Sequence, residues 1–369
     1  MRTEENHQLQ WLDVLDDRFE WLNVADWEER NGGLQPVRVP KFWRDRWPSR
    51  TARRGKSAAG VVLRFRTNSK KLALRVTLID SRDAPENPAI AWERSRPAFF
   101  SLYRDGKYVS SIAALTLFSQ QEVALYADRE LFEEAEVQVL LPFYYRNGEI
   151  IIHGIGIDPT ATLKRAAPDQ RPRVLFHGDS ITHGHGVTSP RETYPWQVSE
   201  ELGCVSLNYG FGGSAWADNV VAQTIASRTD WHVLTIMIGT NSLIGIDSAG
   251  QPETAAQYVA KYDAYLATIR GASPNKPILC ITPILNRADL KNGGNQNGER
   301  PDLYRDGIAS VVCRRQKSDS NLYLLDGLSL INDPLFLLVT DNVHPNDAGM
   351  HRIAQGVAAA LRPILALVG

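Results

Sequence analysis

The sequence has almost no net charge, few cysteines and no long apolar run, and each shortage excludes a class of protein. Its 41 Lys and Arg nearly cancel 42 Asp and Glu, a formal net charge of −1. A general nucleic-acid binder needs surplus cations to displace counterions from phosphates, so no nucleic acid is expected as a partner. The three cysteines, Cys204, Cys280 and Cys313, are odd in number and widely spaced, which argues against a disulfide framework or a cysteine metal site. Cys204 and Cys280 stand in apolar strand-like runs and read as buried free thiols. No apolar run approaches the ~18 residues of a membrane span. Met1 to Gln10 are polar and acidic, with neither an apolar h-region nor a small-residue cleavage site, so the expectation is a cytoplasmic chain without a membrane span.

What is present is enough chain for two cores. At 369 residues, 43% of them hydrophobic, the length suits two domains at roughly 100–200 residues each. The first third reads as β structure. Val61 to Arg66 and Leu72 to Leu78 alternate apolar with polar residues, the period of a half-buried strand. Further strand candidates are Phe99 to Arg104, Lys107 to Ala113, Ala135 to Leu141 and Glu149 to Ile157. Asp105-Gly106 and Asn147-Gly148 fall between such runs, where a tight hairpin needs positive φ at both centres. The pattern predicts an antiparallel sandwich over 1–160.

Pro159, Pro168 and Pro172 interrupt an aperiodic polar stretch that marks the boundary, and a second domain is expected over 170–369. Its strand candidates, Val174 to Phe176, Cys204 to Leu207, Val233 to Ile238, Pro277 to Ile281 and Leu322 to Leu325, alternate with helical stretches that include 252–270, 302–316 and 346–362. That alternation implies an α/β fold, a parallel sheet with helices on both faces. Ligands in such sheets bind outside the carboxyl ends of the strands.

Polar residues gather at those ends. After the first strand, Gly178-Asp179-Ser180-Ile181-Thr182 places a serine on a strand-to-helix turn, suited to a nucleophile but also to an ordinary helix cap. After the second comes Asn208-Tyr209-Gly210-Phe211-Gly212-Gly213-Ser214, a bend whose backbone N–H groups could face the same crevice. Gly239-Thr240-Asn241-Ser242 follows the third, where Asn241 is either a donor or a cap. Asp341-Asn342-Val343-His344-Pro345 precedes the last helix, and an Asp three residues before a His can orient the imidazole from a short loop.

In this order the four blocks resemble the SGNH (GDSL-type) hydrolase superfamily over about residues 172 to 366. The resemblance implies a flavodoxin-like three-layer domain. It makes Ser180 the nucleophile, Asp341 and His344 its partners, and Ser180, Gly213 and Asn241 the oxyanion hole. Spacing from Asn208 favours Gly213 over its neighbours Gly210 and Gly212. No metal or other cofactor is required by such chemistry. Arg38-Val39-Pro40, Ser57 to Gly60, Phe65-Arg66-Thr67 and Ser101 to Gly106 look like the N-terminal β-sandwich, jelly-roll-like, that precedes the catalytic domain in one SGNH branch. That branch usually reads Gly-x-Asp-Leu-Tyr where this chain has Phe99-Phe100-Ser101-Leu102-Tyr103.

Two-domain proteins of this build are often assigned to carbohydrate deacetylation. The resemblance therefore implies a serine esterase for short acyl esters, acetyl foremost, with an acylated small molecule or oligosaccharide as substrate. The alternatives are a broad carboxylesterase or lysophospholipase-like lipase, and a non-catalytic carbohydrate-binding protein. Asp179, His183 and Trp216 are candidates for lining the substrate site. His177, His183 and His185 crowd the nucleophile, which invites a metal site, but with no carboxylate at ligand spacing they read instead as polar lining of the cleft mouth. Tyr194, Trp196 and Trp216 could stack on a sugar or pack helix to sheet. The Gly/Asn-rich connection 286–304 is expected to be a mobile rim.

Charge is segregated near the N-terminus: residues 1–30 hold nine acids and three bases, while Val37 to Arg75 holds thirteen bases and the single acid Asp45. Pairing within the molecule or across a homo-oligomer contact accounts for such neighbours.

Overall fold

A computed structural model of the chain describes residues 9–80, 98–114, 118–126, 133–143, 148–291 and 293–368. It resolves into two compact units, one formed by Met1–Val39 with Lys56–Asp169 and the other by Pro40–Gly55 with Gln170–Gly369.

The first unit is built from β1 (Gln10–Leu12), β2 (Glu20–Leu22), β3 (Asp26–Arg30), β4 (Gly33–Val37), β5 (Val62–Thr67) and β6 (Leu72–Asp80). It continues with β7 (Ala98–Arg104), β8 (Lys107–Ala114), β9 (Gln120–Tyr126), β10 (Ala135–Leu140), β11 (Gly148–Ile157) and β12 (Leu163–Lys164). These form two antiparallel sheets, β3-β4-β11-β6-β9 with β1 on β11, and β12-β5-β10-β7-β8 with β2 on β5. The two-residue period explains the pairing. Leu72, Leu74, Val76 and Leu78 of β6 share one core with Leu63 and Phe65 of β5 and Val137 and Val139 of β10.

Asp105 and Gly106 take φ values of 47° and 74°, the backbone that the tight β7–β8 hairpin requires. Asn147 of the other expected turn lies outside the described residues. Ser101 is buried in β7 with its Oγ 3.4 Å from that of Ser111. Part of the charge segregation is settled inside this unit, where Lys56 pairs with Glu28 at 2.8 Å and Arg64 with Glu20 at 2.6 Å.

The second unit begins with two short helices that the sequence reading did not expect, α1 (Lys41–Arg44) and α2 (Ser49–Arg54). They are four and six residues long, too short to show a helical period, though each follows a proline, Pro40 and Pro48. The remaining strands are β13 (Arg173–Gly178), β14 (Val205–Gly210), β15 (Val233–Met237), β16 (Ile278–Ile281) and β17 (Leu322–Leu325). All are parallel, in the order β14-β13-β15-β16-β17.

Between and after them run α3 (Ser180–His183), α4 (Tyr194–Leu202), α5 (Asn219–Ser227), α6 (Ala255–Ala272), α7 (Pro301–Gln316), α8 (Gly327–Leu330) and α9 (Asp347–Leu365). Phe176 of β13 packs with Tyr194 and Val198 of α4 and Ile353, Val357 and Leu361 of α9. Its neighbour His177, on the opposite face of the sheet, meets Tyr265 of α6. Helices therefore cover both faces, giving three layers.

The connection 286–304, expected to be a mobile rim, is hydrogen-bonded to its neighbours at several of its described residues. Asn297 donates from Nδ2 to the carbonyls of Gly245 and Glu253, and Gln296 donates to that of Gly245. Asp289 receives both outer nitrogens of Arg305 at 2.7 Å. Side-chain amides thus lace the segment to its neighbours, because the Asn-rich composition that suggests a loop also supplies its hydrogen bonds. Cys204 and Cys280 are buried free thiols, which burial raises to about 11 and about 12, and Cys313 is exposed.

Candidate active site

Strand order reverses around β13, with β14 on one side and β15 on the other, and the crevice beyond its carboxyl end is where open parallel sheets bind ligands. Asp179 leaves β13 and caps α3, its Oδ1 accepting from the Ile181 amide at 2.9 Å, so Ser180 becomes the first residue of the helix. The end of β14 must pass close to this turn. At Gly210 a Cβ would sit 2.2 Å from the His183 nitrogen, so only glycine fits. Asn208 ties the two strand ends together, donating to the Thr182 carbonyl at 2.7 Å and accepting from the Gly210 amide at 2.9 Å.

His344 arrives from the loop before α9. Its Nε2 lies 2.7 Å from Ser180 Oγ and its Nδ1 2.6 Å from Asp341 Oδ2. Asp341 is itself fixed, its Oδ1 accepting from the backbone amides of Val343 at 2.8 Å and His344 at 3.1 Å. Burial opposes ionisation of Asp341, but the His344 imidazole and those amides outweigh it and hold the carboxyl below its ordinary range. An ionised Asp341 takes the Nδ1–H, which leaves Nε2 bare to accept from the Ser180 hydroxyl.

The turn after β14 closes with the Ser214 amide donating to the Phe211 carbonyl at 3.0 Å, and Gly213 takes φ +63°, a backbone that favours glycine. Asn241 follows β15. Its Oδ1 accepts from the Ala215 amide at 3.1 Å, which turns the NH2 of the same amide the other way. Ser180, His344 and Asp341 therefore form one hydrogen-bonded chain, and Asn241 is bonded to the turn that carries Gly213.

The three histidines near Ser180 go three ways. His177 is buried between the Tyr209 carbonyl and the Tyr265 hydroxyl, and burial drops it to about 4. His183 Nδ1 accepts from the Gly212 amide at 3.2 Å. His185 reaches the Asp341–His344 loop, its ring edge-on to His344 with centroids 3.8 Å apart and its Nε2 3.9 Å from Asp341 Oδ2. Among the described residues, His185, Asp341 and His344 form a set able to hold a cation. Two of its three members are already joined by the Asp341–His344 hydrogen bond, so a cation there would compete with the Ser–His–Asp chain.

Asp179, His183 and Trp216, the candidates for lining the substrate site, are at most 5% exposed. Tyr194 is fully buried, its hydroxyl 2.8 Å from Thr182 Oγ1 and its ring edge-on to Phe176, which is helix-to-sheet packing. Sequence reasoning passed over α2, whose Arg54 donates from Nε to the Gly212 carbonyl at 2.8 Å.

Burial raises the Asp179 carboxyl from 3.8 to about 6, against the Ile181 amide, which favours the charged form. A folded-state value above the unfolded one adds stability that is complete below 3.8 and is lost as pH rises through about 6. Two units or so correspond to about 3 kcal/mol. Asp179→Asn keeps an acceptor for Ile181 without the charge. Its melting temperature should therefore gain on the wild type as pH is raised from 4.5 to about 8, measured by thermal unfolding in matched buffers. A constant difference across that range would show that Asp179 is not the titrating group.

Sheet, turn and hydrogen-bonded chain together define a serine ester hydrolase of the α/β class. Residues 176–352 match the GDSL-like Lipase/Acylhydrolase family, and residues 9–163 match GxDLY, the N-terminus of Esterase_SGNH_hydro-type proteins. The chain thus belongs to the two-domain SGNH/GDSL esterases, and the N-terminal match stands although Ser101 departs from the family's usual Asp.

Among solved structures it is similar to the salicylyl-acyltransferase SsfX3 from a tetracycline biosynthetic pathway, with 21% identity, 97% of each chain covered and a TM-score of 0.82. A protein described as a GDSL-like lipase from Bacteroides ovatus gives 21% identity, coverage of 97% and 98%, and a TM-score of 0.76. An acetyl xylan esterase from the rumen bacterium Butyrivibrio proteoclasticus gives 14%, 98% and 100%, and 0.59. At these identities the likenesses establish the fold. No curated protein sequence matches the chain.

Proposed function

We propose that this protein removes a short acyl group, acetyl foremost, from a carbohydrate through an acyl-enzyme on Ser180. The observation that carries the reading is the continuous chain from Ser180 Oγ through His344 to Asp341, with links of 2.7 and 2.6 Å. His344 takes the Ser180 proton as Oγ attacks the ester carbonyl, then delivers it to the departing alcohol. Asp341 holds the tautomer and steadies the imidazolium. The oxyanion is met by the Ser180 and Gly213 amides and the Asn241 side chain. Water, deprotonated by His344, then attacks the acyl carbonyl and releases the acid. The acetyl xylan esterase that shares the fold supports an acetylated sugar as substrate.

Two assays test this. Acetylated xylo-oligosaccharides should lose mass in units of about 42 Da, one per acetyl passed through the serine ester. In a nitrophenyl ester series, kcat/KM should be highest at acetate and fall steadily to about eight carbons. Faster turnover at the long end would transfer the protein to the lipase reading. Retention of acetyl groups on every oligosaccharide, with nitrophenyl acetate still cleaved, would remove the sugar and keep the esterase.

A further inference from the structure

The segment Pro40–Gly55 lies in sequence within the sandwich but folds as part of the catalytic unit. Three side chains fasten it there. Trp47 donates from Nε1 to Thr224 Oγ1 at 2.8 Å and sets its ring against Phe211, with centroids 5.0 Å apart. Thr51 Oγ1 lies 3.4 Å from the Ser214 carbonyl. Arg54, itself 5% exposed, donates from Nε to the Gly212 carbonyl at 2.8 Å. The contacts to Phe211, Ser214 and Gly212 all fall on the turn that carries Gly213.

The geometry of that turn makes the Arg54 contact consequential. Its ends are Phe211 and Ser214, joined by a 3.0 Å backbone hydrogen bond. Positive φ falls on Gly213 and not on Gly212, which is the type II arrangement. A type I turn has the same two ends and differs chiefly in the central peptide, which is turned over. With glycine at both centres no side chain opposes either form. The central peptide is Gly212–Gly213, and it is trans, so its C=O and N–H point in opposite directions. Whatever holds the Gly212 carbonyl thereby aims the Gly213 N–H. His183 holds the preceding peptide by accepting from the Gly212 amide at 3.2 Å, and Arg54 holds the central one through the Gly212 carbonyl.

We propose that Arg54 is a positioning residue of the oxyanion hole, which keeps the Gly212–Gly213 peptide in the orientation that offers the Gly213 N–H to the reacting carbonyl. The proposal rests on Gly213 as an oxyanion donor. It also gives Pro40–Gly55 a task, since the segment brings a buried cation to this carbonyl of the catalytic unit.

The test compares Arg54→Met, which keeps an apolar stem without a donor, with Arg54→Lys, which keeps a charged donor. Both are made in the full chain and assayed on nitrophenyl acetate, with rates expressed per active site titrated by a serine-directed phosphonate, so that misfolded protein does not count. In Arg54→Met, kcat should fall by about 10- to 1000-fold, the upper end being complete loss of one donor, with KM changed little. Affinity for a boronic-acid transition-state mimic should fall by a similar factor. Arg54→Lys should recover part of the loss. In Arg54→Ala, added guanidinium should restore turnover where tetramethylammonium, a cation without an N–H, does not. A role confined to holding the fold would reduce titratable sites and leave kcat per site and boronate affinity at wild-type values, and that result overturns the proposal. If Ser180→Ala still bound the phosphonate covalently, the site itself would be misplaced, a failure distinct from that of Arg54.

Discussion

Replacing Ser180 with alanine is expected to lower kcat on nitrophenyl acetate by about 10⁴- to 10⁶-fold and to abolish covalent labelling by a serine-directed phosphonate. The stronger part of the prediction concerns the partner. Ser180 Oγ and His344 Nε2 are 2.7 Å apart, so one proton transfer joins them and neither has a chemical task without the other. His344→Ala should therefore cost about as much as Ser180→Ala, and the double variant no more than either single one. Asp341→Asn should fall short of both, because it alters the tautomer and leaves nucleophile and base in place. Intact-mass spectra after labelling and initial rates on purified variants check all four. Losses that multiplied in the double variant would mean that the two residues act in separate steps.

These residues were legible in the sequence as candidates because parallel sheets bind ligands at strand ends, and their proposed roles came from the resemblance to SGNH hydrolases. Ser180 follows β13, Gly213 follows β14 and Asn241 follows β15, and a reader who can place the strands can place the crevice. The spacing Asp341-x-x-His344 was equally readable, since three residues of loop suffice for a carboxylate to reach back to Nδ1. The strand candidates matched β5, β6, β7, β8, β10 and β11 within a residue or two, although β5 and β11 are buried along almost their whole length and β8 is buried only at its end.

What escaped the reading was set by tertiary contact. Pro40–Gly55 contains six Lys and Arg against the single acid Asp45, and so looked like part of a charged surface of the β domain. Its destination depends on Trp47 meeting Phe211 and on Arg54 meeting the Gly212 carbonyl, partners more than 150 positions away. Composition cannot announce contacts of that range. The separate destinations of the histidines have a different cause. His177, His183 and His185 are neighbours in sequence, but one sits in a strand, one in α3 and one beyond it, so their rings diverge. The carboxylate near His185 is Asp341, which no local spacing could suggest.

Asn241 offers the sharper separation of catalysis from structure, because its side chain does two things at once. Oδ1 accepts from the Ala215 amide at 3.1 Å and anchors the Gly213 turn, while Nδ2 is the donor assigned to the oxyanion. Asn241→Ala removes both and should lower kcat by about 10²- to 10³-fold, equivalent to about 3–4 kcal/mol of transition-state stabilisation, with KM little changed. Asn241→Asp tells the two functions apart. The carboxylate still accepts from Ala215, so the anchor survives, but the donor becomes an anion facing an oxyanion. If Asn241 acts through its donor, Asp is no better than Ala and is expected to be worse at neutral pH, while its melting temperature stays nearer to wild type. If the anchor is what matters, Asp retains activity that Ala loses. The order of the two variants in kcat, set against their order in thermal stability, therefore decides whether Asn241 belongs to the chemistry or to the turn.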